Sequence, residues 1–245
     1  MTARSRSFPR RLLLAVWAGL AFLTVVGLGA SVLRARYLPD LAARLEPVRT
    51  AALGAFGLRE PNSARRAAET IRLDGKYAAR PVATLVHVGF GAVFLALVPL
   101  QFVGTLRARY RNFHRWLGRL LLIVGLITGL SGMYFAVLHP FAGTAERVTI
   151  GAFSGYFLVA CGLAFASIRA NRRAAHREWM LRAVAAALGI AVARVLSLPV
   201  DLALTPMGAS PRAVFLAAVW MGLSAAIALG EWWIWRTRPA AVAAT

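Results

Sequence analysis

The residues of this 245-residue chain best suited to chemistry are four histidines, His87, His114, His139 and His176, and one arginine, Arg194, set deep in an apolar stretch. A neutral imidazole can serve as an axial ligand to haem iron or exchange a proton near neutral pH. A guanidinium carries five fixed donors and a permanent charge, so it suits an anion or a polarised oxygen. Two of the histidines open matching motifs, His114-Arg115-Trp116-Leu117-Gly118-Arg119 and His176-Arg177-Glu178-Trp179-Met180-Leu181-Arg182. Each runs His-Arg, then an aromatic of the kind found at membrane interfaces, then an arginine at the start of an apolar run, which suggests two related hairpins. Helix starts present unpaired N–H groups and a positive dipole end. Arg115, Arg119, Arg177 and Arg182 are therefore candidates for contact with anionic lipid or a small anion. Other chemistry is missing: the chain has no phosphate loop, no His-Glu-x-x-His, no CxxC and no Gly-x-Ser-x-Gly. Its single cysteine, Cys161, cannot form an internal disulfide.

What positions these residues follows from composition. With 59% hydrophobic residues and a mean hydropathy of +0.64, the chain is too apolar to hide its surface in one water-soluble core. A hydrocarbon layer about 30 Å thick needs roughly 20 apolar residues of helix. Six segments meet that need: Leu12–Leu33, Val82–Thr105, Leu117–Leu138, Thr149–Ile168, Met180–Val200 and Ala213–Trp235. The expected fold is all-α, a polytopic bundle of six transmembrane helices. Residues 1–33 form an N-terminal segment and first anchor, 34–81 an external loop, 82–238 a five-helix membrane domain carrying the histidine motifs, and 239–245 a flexible tail. Leu38–Leu58 and Ala64–Leu73 in the loop have helical spacing. The first span, although Arg10-Arg11 ahead of it resembles the start of a secretory signal, reads as an uncleaved anchor because its apolar stretch is long.

The formal net charge is +20, from 29 Lys and Arg against 9 Asp and Glu. Nucleic acid is excluded as a partner because the basic residues fall in short clusters between apolar runs and form no stripe. The clusters Arg4 to Arg11, Arg107 to Arg119, Arg169 to Arg182 and Arg236 with Arg238 all fall on one side. The positive-inside rule then puts both termini in the cytoplasm, against the basic content of the long first loop. In this frame His87 and His139 lie at the outer side and His114 and His176 at the inner, headgroup level. Arg194 lies in the outer half of the fifth span, where a charge costs several kcal/mol unless paired or hydrated, and so marks a site. Asp201 follows two turns later, with Pro199 between them as a candidate break. Glu231, near the inner end of the last span, is suited to pair with an inner arginine. Ser131 reads as a small packing residue.

The chain resembles the domain-of-unknown-function 2306 family of bacterial polytopic membrane proteins. The likeness rests on His87 in Val86-His87-Val88-Gly89, on the two His-Arg motifs at His114 and His176, and on Ala193-Arg194, Leu198-Pro199 and Glu231 further on. It spans Val82 to the C-terminus, leaves His139 unmatched, and brings a name and three histidines but no activity. Six helices with histidines near both faces also resemble the cytochrome b561 type of transmembrane electron carrier. There, paired histidines on different helices ligate two haems, whereas Thr149–Ile168 here has no histidine. Two functions are expected from different classes. One is a haem b or quinone-linked electron-transfer subunit using His87, His114 and His176, with Arg194 near the outer site. The other is a non-redox binding, transport or scaffold protein holding anionic lipid or a small anion at its basic cytoplasmic loops.

Overall fold

The computed structural model describes residues 10–38, 40–58 and 63–238. Arg4, Arg6 and the tail at 239–245 lie outside the described residues. Six helices are long and apolar enough to cross a membrane. They are α1 (Arg10–Arg36), α4 (Pro81–Leu97, extended by a 3-10 turn, Val98–Phe102), α6 (Arg111–Leu138), α7 (Thr144–Arg169), α8 (Arg173–Leu204) and α9 (Pro211–Thr237). Three shorter helices are α2 (Leu41–Ala55), α3 (Ser63–Ala78) and α5 (Gly104–Arg109). The protein is an all-α polytopic membrane bundle.

Successive spans pack as neighbours, α4 on α6, α6 on α7, α7 on α8 and α8 on α9, and α1 lies across α4 and α8. The core is built where α4, α6, α7 and α8 meet, from Phe94, Val98, Leu121, Val124, Phe157, Ala160 and Ala183 among others. Large apolar residues on the outward faces, such as Phe22, Val25, Ile123 and Leu130, stay exposed, as a lipid solvent demands. We call the end of the bundle that bears α2 and α3 the cap face, and the end that bears the two histidine motifs the motif face.

Small residues bring α8 and α9 together. A Cβ built on Gly222 would stand 2.4 Å from the Ala193 backbone nitrogen, and one on Gly189 would stand 2.9 Å from the Leu223 Cα. Such seams let helix backbones approach where no hydrophobic effect drives them together. Gly222→Leu is expected to force α9 off α8 and cost about 1–3 kcal/mol or more, read as a lower thermal midpoint in detergent. Gly19→Leu, at a position with open space around it, is expected to leave the midpoint unchanged.

Tight turns keep the spans adjacent. α7 ends on Asn171 at φ +56°, with the Arg172 N–H reaching back to the Ser167 carbonyl at 2.8 Å. Gly208 at φ +82° ends α8 in the same way, through the Ala209 N–H and the Leu204 carbonyl at 3.2 Å. A left-handed residue closing a helix through this bond is a common stop. The first turn holds His176 close to the end of α7.

At the cap face, ion pairs tie α2 and α3 to the span ends. Arg34 meets Asp74 at 2.5 Å and Arg49 meets Asp201 at 2.5 Å. Lys76 meets Glu146 at 3.1 Å and Arg212 meets Glu69 at 3.2 Å. Arg66 donates to the Thr205 hydroxyl at 2.8 Å and to the Ala209 carbonyl. Asp201 therefore pairs with the cap and not with Arg194. Pro199 does not end α8, a correction to the expected break. The ring removes one N–H from the ladder, and the turn beyond it is held by Val200 against Val214 and Ala218 and by Asp201 against Arg49.

Candidate functional site

His87 projects from the second turn of α4 onto α6. Its Nδ1 lies 3.2 Å from the Thr128 carbonyl and 3.0 Å from the Ser131 hydroxyl. Ser131 gives its own proton to the Ile127 carbonyl at 2.7 Å, so both neighbours of Nδ1 are acceptors. This assigns the proton to Nδ1 and leaves the Nε2 lone pair unshared. Ser131 is thus a partner of His87 rather than plain packing. The ring sits in the notch of Gly132, where an added Cβ would come within 3.1 Å of the His87 Cε1. Phe135 meets the ring edge-on at 6.3 Å, and Tyr77 of α3 stacks on Phe135 at 5.3 Å.

Arg194 approaches this group from α8. Its charge interacts with His87, Tyr77 and Arg34, and among the described residues its guanidinium has no carboxylate partner and no hydrogen bond. Arg194 is exposed. Arg34, by contrast, is paired with Asp74 and stacked 4.7 Å over the Tyr77 ring.

At the motif face, His114 on α6 and His176 on α8 interact electrostatically with each other, and both are half-buried. The His176 Nδ1 donates to the Ala164 carbonyl of α7 at 2.9 Å, which again leaves Nε2 unshared. This carbonyl-anchored imidazole is the arrangement that metal-ligating histidines use to fix tautomer and ring angle. The His114 main chain is held by Gln101, whose amide donates to the His114 carbonyl at 3.3 Å. Among the described residues no group of three or more His, Cys, Asp or Glu side chains is placed to hold a metal ion.

The helix period links the two ends. Eighteen residues make five turns, so His176 and Arg194 lie on one face of α8, and His114 and Gly132 on one face of α6, roughly 27 Å apart along each axis. His87 fills the Gly132 notch. The face of α6 with His114 at one end thus meets His87 at the other, and the face of α8 with His176 at one end carries Arg194 at the other.

The four motif arginines have different fates. Arg182 forks onto Glu231 at 2.6 and 2.9 Å, the inner pairing expected for that acid. Arg177 donates to the Thr237 hydroxyl at 2.5 Å. Arg119 lies 4.7 Å over the Trp116 ring, as Arg182 lies 4.7 Å over Trp179, so the repeated Trp-x-x-Arg spacing yields the same contact twice. Arg115 and Arg119 are exposed. His139 hydrogen-bonds Tyr134 at 3.2 Å, and Tyr134 in turn packs edge-on to Phe135. Slight desolvation and the charges of Arg80 and Lys76 hold its imidazole below the ordinary range, hence neutral at pH 7.

Residues 84–234 match the family model described as "Predicted membrane protein (DUF2306)". The chain belongs to this family. The DUF2306 region begins within α4 and ends within α9, so it contains His87, His114, His176 and Arg194. It leaves α1, α2 and α3 outside, and with them Arg34 and Tyr77. Comparison with curated proteins and with solved structures gives no match. Sequence reasoning passed over Gln101, Tyr77 and Glu146. Gln101 carried a signal, an amide in an otherwise apolar run, whereas Tyr77 and Glu146 gain meaning only from the cap folding back onto the spans.

Proposed function

We propose that this DUF2306 protein is a membrane electron carrier that holds a single haem b between His114 on α6 and His176 on α8. The observation that carries this reading is the pair itself: two imidazoles on different helices at one face, interacting with each other, one with its Nδ1 committed to a backbone carbonyl. Neutral imidazole nitrogens of this kind are suited to hold a haem. Held by His114 and His176, such a group would supply one-electron redox chemistry. In this reading the motif face is cytoplasmic and the membrane is a bacterial inner membrane, which the arginine clusters at that face support.

The test is a reduced-minus-oxidised visible spectrum of the protein purified from cells supplied with a haem precursor, with a pyridine haemochrome assay for stoichiometry. A b-type band with a single haem per chain is the expected outcome, and a colourless preparation overturns the reading. A second reading keeps Arg115 and Arg119, both exposed beside an interfacial tryptophan, as contacts for anionic lipid. It predicts salt-sensitive binding to phosphatidylglycerol vesicles that Arg115→Gln with Arg119→Gln removes.

A further inference from the structure

We infer that the corner between α5 and α6 binds the headgroup of one anionic phospholipid, whose acyl chain lies along α6. This site rests on the lipid-contact reading of Arg115 and Arg119, and gives that contact a place, a stoichiometry and a headgroup class. Charge separates this corner from its counterpart between α7 and α8. Residues 107–119 and 169–182 each carry five arginines. The second set includes Glu178, which meets Arg238 at 2.7 Å and Arg182 at 3.7 Å, and Arg182 also forks onto Glu231. The first set has no such neutralisation. The sequence holds no acid between Asp74 and Glu146, and among the described residues Arg107, Arg109, Arg111, Arg115 and Arg119 form no ion pair. The ammonium of a zwitterionic headgroup finds no carboxylate there, whereas a phosphodiester carrying an uncharged glycerol finds several guanidinium donors.

Shape adds a second observation. Ala108, Arg109, Tyr110, Arg111, Asn112 and Phe113 line a hollow of about 470 Å³, with room for a phosphate and its glycerol. A lipid-facing stripe runs on from it. Asn112, Trp116, Arg119, Ile123 and Leu130 recur at helical spacing on one side of α6, and all are exposed, Trp116 by 67%, Ile123 by 59% and Leu130 by 51%. From Arg119 to Leu130 the helix rises roughly 16 Å, about half of a hydrocarbon layer. Arg119, stacked at 4.7 Å on Trp116, thus stands where headgroup meets chain. A soluble anion would use the arginines and leave the stripe unmatched, whereas an anionic amphiphile uses both. On α8 the corresponding Trp179 is half-buried and packs against the core.

The experiment is native mass spectrometry of the purified full chain after incubation in detergent with palmitoyl-oleoyl phosphatidylglycerol, with phosphatidylethanolamine of the same chains, or with glycerol phosphate as the chainless headgroup. One retained phosphatidylglycerol per chain is expected at concentrations where the other two leave no adduct. An arginine near a lipid surface is worth about a factor of five, so Arg109→Gln with Arg111→Gln is expected to weaken that adduct about 30-fold. Arg169→Gln with Arg173→Gln removes the same charge from the other corner and is expected to leave it unchanged. All four arginines are exposed.

Equal loss in the two double variants would show a diffuse attraction between the basic face and the leaflet, which overturns the site and keeps the lipid-contact reading. An adduct with phosphatidylethanolamine as strong as that with phosphatidylglycerol overturns the headgroup class. Glycerol phosphate retained as well as the lipid overturns the part given to the stripe on α6. Absence of any phosphatidylglycerol adduct overturns the site. The lipid-contact reading then stands if vesicle binding still needs Arg115 and Arg119, and falls with the site if it does not.

Discussion

Replacing His176 by alanine in the full chain is expected to abolish the b-type band of the reduced protein, and replacing His114 to weaken it. Both follow from the haem proposed between α6 and α8, and the difference follows from how each ring is held. The His176 ring is oriented by its Nδ1 bond to the Ala164 carbonyl at 2.9 Å, whereas at His114 only the main-chain carbonyl is held, by Gln101 at 3.3 Å. Partners that orient a ligating histidine are typically worth about 10- to 100-fold in metal affinity. Losing the oriented ligand should therefore cost more than losing the other. In His114→Ala one of the two residues that would hold the haem is gone, so carbon monoxide is expected to shift the reduced spectrum, as it does not in the native protein. His87→Ala, roughly 27 Å away by helix rise, is expected to retain the full band. A band that survives both His114→Ala and His176→Ala would place any haem elsewhere in the molecule.

The six spans were legible because each is a run of apolar residues long enough to cross a bilayer, a property local to the chain. The histidines were legible as residue types but not as partners. His114 and His176 are 62 positions apart in the sequence, and only the packing of α6, α7 and α8 makes them neighbours. The Trp-x-x-Arg repeat was visible as letters, and the structure gives it meaning as two equal stacking contacts. Asp201 shows why pattern reading stopped short. Its spacing from Arg194 suggested a partner on the same helix, but Arg49, 152 residues away, reaches it at 2.5 Å. Pro199 misled for a related reason: a local breaker was overruled by tertiary contacts on the turn that follows it. Long-range ion pairs of this kind leave no periodic trace, and in this chain they tie the cap to the span ends.

The heaviest of those pairs supplies the second large expectation. Glu146, in the first turn of α7, is 2% exposed. Its carboxylate meets Lys76 at 3.1 Å, accepts the Ala142 N–H at 2.7 Å and also accepts the Phe141 N–H. It thus satisfies the turn between α6 and α7 while anchoring α3. Glu146→Ala leaves an ammonium and two N–H groups unmet in a site with little water, and removing one partner of such a pair costs about 3–5 kcal/mol. The expected result is a lower thermal midpoint together with faster tryptic cleavage after Arg72 in α3, as the cap loosens. Glu146→Gln with Lys76→Met keeps an acceptor for the turn and removes the stranded charge, so it is expected to recover much of the midpoint, the non-additivity that marks a direct pair. Lys76 adjoins Tyr77, whose ring packs on Phe135 beside His87. Loosening α3 is therefore expected to disturb the packing beside His87 as well, while a band from the haem proposed at the far face stays as it was. A Glu146→Ala protein with native midpoint and native tryptic rate would mean that the cap is held by its other ties, at Asp74, Asp201, Glu69 and Arg66.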